Sequence, residues 1–230
     1  NLWVSPALGP LPLKEIIIFH LESLRNKMKK AGLSQRTIEY TFAIIRQIFN
    51  YAKATGEYKG EPPKIKIKKP DNGRTRFLTR KEAKSLLDAL KVRSKDTHDM
   101  TLLSLHCGLR FGEIAALTWA DVDYDRLILT IRDAKAGSRY AFLTKQAADM
   151  LKGKTRGKLS DLIFPAVDAD GNKKPMIRIS ATFNKVVDDL GFNKHRDDPR
   201  DQIVFHSCRH TYASWLIESG QDLYTVQRML

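Results

Sequence analysis

The chain has 230 residues, of which 42% are hydrophobic and 29% charged, a balance that favours a folded globular protein over a disordered one. It contains no run of about 18 apolar residues, which excludes a membrane-spanning helix, and its first residues lack the pattern of a secretory signal. The two cysteines, Cys107 and Cys208, give no disulfide framework and suit the reducing cytoplasm.

The positive charge of the chain is unevenly distributed. Forty basic and 26 acidic side chains give a net charge of +14. Residues 1–77 contribute +9 of this, and the remaining 153 residues contribute +5. A basic protein attracts a polyanion and gains entropy by releasing its counterions. Charge alone therefore favours a nucleic-acid-binding protein over a generally basic or ribosome-associated one.

Residues 1–62 are expected to form a helical domain. Apolar residues at helical spacing predict a helix over 13–31, which Gly32 would end. Ser34 would cap a second helix. The predicted buried face of that helix consists of Ile38, Phe42, Ile45, Phe49 and Ala52. Two helices lack enough packing partners, so a further helix is expected within residues 1–12 or before them.

Residues 63–76 are expected to form an extended basic linker. Pro63, Pro70 and Gly73 exclude a continuous helix over this stretch. The segment would either lie along DNA phosphates or be an ordinary solvated linker. The candidate DNA-binding residues in it are Lys64, Lys66, Lys68, Lys69, Arg74 and Arg76.

Residues 77–230 are expected to form a second domain, mainly α-helical with a small antiparallel β-sheet. Thr79 and Glu82 have the spacing of a capping box, which predicts a helix through Leu90. The later predicted elements are a buried helix ending at Cys107, a short helix over 111–119, two strands at 127–131 and 140–143 that form a hairpin, and helices over 144–152, 176–190, 206–219 and 222–230.

Two residues of the last part of the chain are candidates for phosphate chemistry. His206 and Arg209 are three residues apart, so they project from one face of a helix. A guanidinium can hold two phosphate oxygens, and an imidazole can exchange a proton near neutral pH. The alternative for His206 is a buried histidine at a helix start.

Two further candidates lie earlier in the chain. Arg110 follows Gly108 at a helix entrance, where backbone N–H groups attract anions. It could bind an anion, pair with Glu113, or do both. Lys135, in the predicted hairpin, could reach a bound phosphate as a proton donor, or be a solvated turn lysine.

Taken in order, these segments resemble the catalytic motifs of the tyrosine recombinase, or phage integrase, family. Residues 108–114, Gly-Leu-Arg-Phe-Gly-Glu-Ile, resemble its first arginine motif, and residues 117–123 continue the match. Lys135 lies where the family has its β-hairpin lysine. Residues 206–216 resemble its second box, His-x-x-Arg-His-Thr-x-Ala-Ser-Trp-Leu. The resemblance covers residues 78–230, and residues 13–62 are more loosely similar to the helical core-binding domain of the family.

The resemblance implies a site-specific recombinase or integrase, typical of mobile genetic elements, that breaks and rejoins double-stranded DNA through a 3′-phosphotyrosyl intermediate. No metal, ATP or other cofactor would be needed. Arg110 and Arg209 would clamp the scissile phosphate, and His206 would assist proton transfer. Lys135 would protonate the departing 5′ oxygen. The family also implies a homotetramer on DNA, without membrane attachment, in the cytoplasm and associated with the nucleoid of a prokaryote.

In the family, the nucleophilic tyrosine follows a Gly-His or Gly-Trp pair, which is expected after Leu230. The 230-residue chain is therefore expected to bind DNA without cleaving it, and both predicted domains would be incomplete, the first at its start and the second at its end. Tyr212 and Tyr224 are interpreted as packing residues. Glu113 and His210 are expected to support the site.

Alternative interpretations are weaker. His206 and His210 have the spacing of zinc ligands, but Ser207 lies where a zinc hydrolase needs glutamate and Arg209 would repel a cation, so no metal is expected. A type IB topoisomerase would share the chemistry without the two-domain layout. The main alternative is a catalytically silent DNA-binding protein with the same fold. Binding alone would not need Lys135 and His206 together with both arginines.

Overall fold

The computed structural model describes residues 2–64, 66–67, 73–132 and 137–230. Contacts divide the chain into two compact units, Asn1–Asn72 and Gly73–Leu230. Each unit has a separate cluster of buried hydrophobic residues. The predicted fold class, mainly helical with small antiparallel sheets, is confirmed. Within the described residues, every helix is too short or too polar to cross a bilayer.

The first unit is helical. Its elements are α1 (Val4–Leu8), a 3-10 turn (Leu13–Glu15), α2 (Ile18–Lys30) and α3 (Gln35–Ala54). The predicted cap of α3 is confirmed, since the Ser34 hydroxyl accepts a hydrogen bond from the Thr37 N–H at 3.2 Å. All five residues of its predicted apolar face are buried. The predicted additional helix is α1. The helix predicted from residue 13 begins only at Ile18, because Ile17 is extended.

The second unit contains seven helices and two small sheets within its described residues. The helices are α4 (Arg80–Arg93), α5 (Lys95–Cys107), α6 (Phe111–Ala115), α7 (Lys145–Lys152), α8 (Ala181–Asp189), α9 (Phe205–Glu218) and α10 (Leu223–Met229). The strands are β1 (Val122–Asp123), β2 (Ile128–Ile131), β3 (Arg139–Phe142), β4 (Pro165–Val167) and β5 (Lys173–Pro175).

Helix α5 is the centre of the second unit, and it positions the residues that follow it. Nine of its 13 residues are buried, and it packs against α4 and α9. It ends at Gly108, whose φ of +67° is a left-handed conformation that favours glycine. A Cβ on Gly108 would lie 2.5 Å from the Tyr212 ring on α9. The turn after α5 is therefore held closely against α9.

The first sheet has the antiparallel order β1-β2-β3. The predicted hairpin is confirmed as β2 and β3, in which Leu129 is paired with Ala141. Strand β1 and the β4–β5 hairpin were not predicted. These strands have only two or three residues each, too few for an alternating hydrophobic pattern to be recognised.

Two predicted helices of the second unit are shorter than expected. The helix predicted over 111–119 ends at Ala115, because the Asp121 carboxylate accepts hydrogen bonds from the Thr118 N–H (2.9 Å) and hydroxyl (2.7 Å) and so starts a separate 3-10 turn. The helix predicted over 176–190 begins at Ala181, where the Ser180 hydroxyl caps the Thr182 N–H.

Candidate nucleic-acid site

Arg110 and Glu113 form a compact pair at the start of α6. Arg110 is the N-cap residue, and its backbone N–H donates to Glu113 Oε2 at 2.8 Å. Its side-chain Nη1 donates to Glu113 Oε1 at 2.7 Å. The Arg110 side chain is 40% exposed, whereas that of Glu113 is 8% exposed. The carboxylate therefore holds the arginine in place while part of the guanidinium reaches the surface.

Glu113 is also the counterion of two more arginines. Arg139 Nη2, from β3, donates to Glu113 Oε2 at 2.8 Å, and Arg209 Nη1, from α9, lies 3.6 Å from the same oxygen. Charge-assisted contacts of this kind are strong when water is excluded. One buried carboxylate thus draws together guanidinium groups from three elements.

Arg209 is the most deeply buried of the three arginines. Its Nη1 donates to the carbonyl oxygen of Gly108, and its Nη2 donates to the carbonyl oxygen of Leu230. Arg110 Nη1 donates to the same Leu230 oxygen at 3.4 Å. Through the Gly108 contact, Arg209 therefore joins α9 to the turn that precedes Arg110.

The electrostatic surroundings of Arg209 are strongly positive. Burial, and then the neighbouring charge of Arg110, lower the pKa of Arg209 to about 10; Glu113 opposes this shift and Arg139 adds to it. The guanidinium remains protonated at neutral pH. The cluster therefore carries three positive charges and one negative charge.

His206 and His210 lie one helical turn apart on α9. Their ring centroids are 4.7 Å apart, with the planes nearly perpendicular. His206 is exposed to solvent. Partial burial, and then the nearby positive charges of His210, Arg209, Arg110 and Arg74, lower the pKa of His206 to about 4. Burial and the charges of Arg74 and Arg209 also lower the pKa of His210.

The last residues of the predicted linker pack onto the second unit. Arg74 Nη1 donates to the carbonyl oxygens of Pro199 and, at 3.0 Å, Gln202. Arg76 donates to the Phe192 carbonyl oxygen at 2.5 Å and to Glu82 at 2.6 Å. Both predicted DNA-binding arginines are thus anchored by protein contacts. The positive charge of Arg74 is close enough to lower the pKa of both His206 and His210.

The structure brings together Arg110, Glu113, His206, Arg209 and His210 of the predicted site. Lys135, the predicted proton donor, lies outside the described residues, as do Lys68 and Lys69 of the predicted linker. Lys64 and Lys66 are exposed in the first unit. Among the described residues, no three His, Cys, Asp or Glu side chains are grouped as a metal site.

Arg139 belongs to this cluster and was missed by the sequence analysis. Its side chain is 14% exposed, and its Nη1 also donates to the Met229 carbonyl oxygen at 3.1 Å. A signal was available: Arg139 and Ala141 alternate along β3, Leu143 continues the alternation one residue past its end, and the last two are buried. Period two therefore places Arg139 on the buried face, where an arginine needs a counterion.

The two tyrosines interpreted as packing residues differ. Tyr212 is buried, as predicted, and its ring lies against Gly108. The interpretation is wrong for Tyr224, which is 66% exposed. The short helix α10 buries Val226 and leaves Tyr224 on its outer face, where its hydroxyl accepts a hydrogen bond from Arg228 at 3.4 Å.

The chain belongs to the Phage integrase family, whose model matches residues 76–230. It is similar to the integrase of Salmonella phage P22, with 27% identity over 215 residues that cover 88% of this chain and 52% of that protein. It is also similar to tyrosine recombinase XerA of Thermococcus kodakarensis, with 24% identity over 205 residues that cover 88% of this chain and 69% of that protein. The chain therefore spans about half the length of the P22 integrase.

Solved structures share the fold. The Tn1549 transposon integrase, in complex with circular intermediate DNA, aligns with a TM-score of 0.74 and 19% identity over 96% of this chain and 79% of that one. A lambda integrase dimer bound to a COC′ core site aligns with a TM-score of 0.71 and 18% identity over 99% of this chain and 82% of that one.

Proposed function

We propose that this protein is a site-specific recombinase that breaks and rejoins double-stranded DNA through a 3′-phosphotyrosyl intermediate. Membership of the Phage integrase family supports the class of reaction. Relatives named integrase and tyrosine recombinase, and structural neighbours in complex with DNA, support the class of substrate. The excess of basic side chains over acidic ones agrees with a polyanionic partner.

The observation that carries the proposal is the position of Arg110 and Arg209 beside one buried carboxylate, that of Glu113, while part of the Arg110 guanidinium remains exposed. Two guanidinium groups held beside one carboxylate can also reach the oxygens of one phosphate. At that position they would stabilise the negative charge that develops on the five-coordinate phosphorus of the transition state. Glu113 would keep the two cations together without reaching the phosphate itself.

The remaining steps are assigned to three other groups. A tyrosine following Leu230 would attack phosphorus, its oxygen forming the new P–O bond while the P–O5′ bond breaks. His206, uncharged at neutral pH because of its low pKa, would accept the proton that the tyrosine hydroxyl releases, directly or through the phosphate. Lys135 would donate the proton that the departing 5′ oxygen takes up. The phosphotyrosyl bond retains the energy needed for rejoining, so no metal or nucleotide is required.

The proposed partners are double-stranded DNA and other copies of the protein. Lambda integrase, a neighbour in fold, has been solved as a tetramer bound to a Holliday junction. We infer a homotetramer on DNA by analogy. The helical first unit would be a core-type DNA-binding domain, and the lysines of the predicted linker, Lys64, Lys66, Lys68 and Lys69, would contact phosphates. Arg74 and Arg76 of the same stretch would instead hold the protein side of this contact, since both bind carbonyl oxygens of the second unit.

The test uses the full-length protein and a DNA attachment site with a nick next to the scissile phosphate, which traps the covalent intermediate. A protein–DNA adduct is expected. Arg110→Ala should lower the cleavage rate by about 100-fold or more while DNA binding is largely kept. Arg126→Ala, which removes an exposed arginine of the β1–β2 turn, is the matched control and should cleave normally. If no adduct forms on any candidate site, the proposal that the protein is a recombinase is refuted.

A further inference from the structure

We propose that Arg139 is a positioning residue that fixes Glu113 and, through it, the guanidinium of Arg110. The inference rests on the proposed function, because Arg110 is taken to contact the scissile phosphate. It assigns a role to a residue of β3, an element that the two arginine motifs do not include. Arg139 itself would not touch the DNA.

The two oxygens of Glu113 are held by different groups. Oε1 accepts a hydrogen bond from Arg110 Nη1 at 2.7 Å. Oε2 accepts from the Arg110 backbone N–H and from Arg139 Nη2, each at 2.8 Å. Arg139 is therefore bound to the oxygen that caps α6, and it leaves the other oxygen to the Arg110 side chain. This division sets the orientation of the carboxylate, and with it the direction of the Arg110 guanidinium.

Arg139 is the nearest external support for this arrangement. Arg110 and Glu113 belong to the same helical turn, so their contacts alone would allow both side chains to move together. Arg209 lies 3.6 Å from Glu113 Oε2, farther than Arg139 does. Arg139 comes from another element, and both it and Glu113 are largely shielded from water. A contact of this kind fixes side-chain geometry more firmly than an exposed ion pair does.

Arg139 also connects Glu113 to the end of α10. Its Nη1 donates to the Met229 carbonyl oxygen at 3.1 Å while its Nη2 holds Glu113. Its Nε is buried and has no hydrogen-bond partner among the described residues. The two terminal nitrogens therefore make the polar contacts, and the planar guanidinium reaches the two acceptors from separate nitrogens, whereas a lysine ammonium has one donor nitrogen.

The main test is a comparison of cleavage and binding in the full-length protein. Arg139→Gln should lower the single-turnover cleavage rate by about 10- to 100-fold, because a phosphate-binding group displaced by about an ångström loses much of its effect. The dissociation constant for the same DNA should change by less than about threefold, since Arg110 stays charged and at the surface. Arg139→Lys should fall between the wild type and Arg139→Gln. Arg126→Gln, the exposed control, should match the wild type.

A double-mutant cycle separates positioning from an independent role. If Arg139 acts through Glu113, adding Arg139→Gln to Glu113→Gln should lower the cleavage rate no further than Glu113→Gln alone does. Independent contributions would instead multiply. Multiplied losses, or an equal loss of DNA binding and cleavage in Arg139→Gln, would overturn the inference.

Hydrogen exchange of the Arg110 amide provides a readout that does not depend on recombination. This N–H donates to Glu113 Oε2, so Arg139→Gln should speed its exchange by about tenfold, as expected when one hydrogen bond is weakened. Arg139→Lys serves the same measurement if the glutamine variant fails to fold. Unchanged exchange in a folded variant would overturn the inference. Faster exchange in a protein that cleaves no DNA would support the positioning role of Arg139 and refute only the proposed function.

Discussion

Glu113 shows how a single carboxylate makes an arginine cluster possible. Three guanidinium groups in one place repel one another, and burying them removes water that would screen the repulsion. The positions of Arg110, Arg139 and Arg209 around one buried carboxylate offset part of this repulsion. The cluster keeps a net positive charge, which suits an anionic ligand, while its most deeply buried part remains paired.

A buried ion pair elsewhere in the second unit allows a first prediction. Lys154 binds the buried Asp99 at 3.0 Å and Asp96 at 2.7 Å. Burial acts to raise the pKa of Asp99, but hydrogen bonds from His98 and Lys154 hold that pKa below its usual value. Lys154→Met should lower the free energy of unfolding by about 3 kcal/mol, because it leaves a buried carboxylate without its cation.

Urea unfolding measures this loss, and Lys84→Met is the matched control. Lys84 also forms an ion pair, with Asp88 at 2.6 Å, but its side chain is 78% exposed. The control should lose less than about 1 kcal/mol. Equal losses in the two variants would contradict the importance given to burial.

The low pKa of His206 leads to a second prediction, about stability and pH. In the folded protein His206 stays uncharged down to about pH 4. In an unfolded chain it becomes protonated at about pH 6.5. The stability that this difference contributes is present above pH 6.5 and is lost as the pH falls toward 4, because the unfolded state binds the additional proton.

His206→Gln should therefore reduce the loss of stability between pH 7.5 and pH 5, measured as the shift in the urea midpoint. The change will be partial for two reasons: His206 reaches solvent, and the pKa values of His106 and His210 are lowered as well. If the variant and the wild type lose the same stability on acidification, the shift assigned to His206 is incorrect.

At this scale the sequence predicts pairs that are close along the chain and misses those that are not. Arg110 and Glu113 are three residues apart at a helix start, so their contact could be anticipated. Arg139 is 26 residues from Glu113, and the contact depends on how β3 lies against α6. Tyr224 was assigned wrongly because the face that α10 buries depends on its packing against α9.

At the scale of elements, the turn after α5 connects the fold to the candidate site. Gly108 combines a left-handed backbone, contact with the Tyr212 ring and a carbonyl oxygen that binds Arg209. Arg110 lies two residues after Gly108. The backbone at this turn therefore positions both arginines relative to each other.

The third prediction concerns this turn. Gly108→Ala should lower the free energy of unfolding by about 2 kcal/mol, because alanine is strained at a φ of +67° and its Cβ would overlap the Tyr212 ring. Gly112→Ala is the control: no described atom lies within 4 Å of its Cβ position inside α6, and it should stabilise slightly, by about 0.5 kcal/mol. Comparable destabilisation by both substitutions would contradict the structural role of Gly108.

Local signals in the sequence predicted most helices of the second unit. The capping box of α4 is present as expected, with the Glu82 N–H donating to the Thr79 hydroxyl at 3.2 Å and Glu82 Oε2 accepting from the Thr79 N–H at 2.9 Å. The helix predicted over 111–119 ends earlier than expected, at Ala115, because the Asp121 carboxylate binds the Thr118 N–H. Side-chain competition of this kind is local, yet helical periodicity does not detect it.

At the scale of the whole molecule, two separate cores predict two folding units. The core of the second unit is built from residues between Leu78 and Trp215 and includes no residue of the first unit. The fourth prediction is that residues 73–230, expressed alone, fold into a helical protein with a cooperative thermal transition by circular dichroism. An unfolded spectrum would show that the first unit is needed for folding.

The β4–β5 turn offers a different use of the molecule. Its tip, residues 169–172, is exposed, and it lies between the part of the chain that contains Arg110 and the part that contains Arg209. A break at this tip would put the two arginines on separate polypeptides. These fragments would regain the arginine pair only when α5 and α9 pack together again. Fused to two molecules of interest, the fragments would bring the arginine pair together only when those molecules had met.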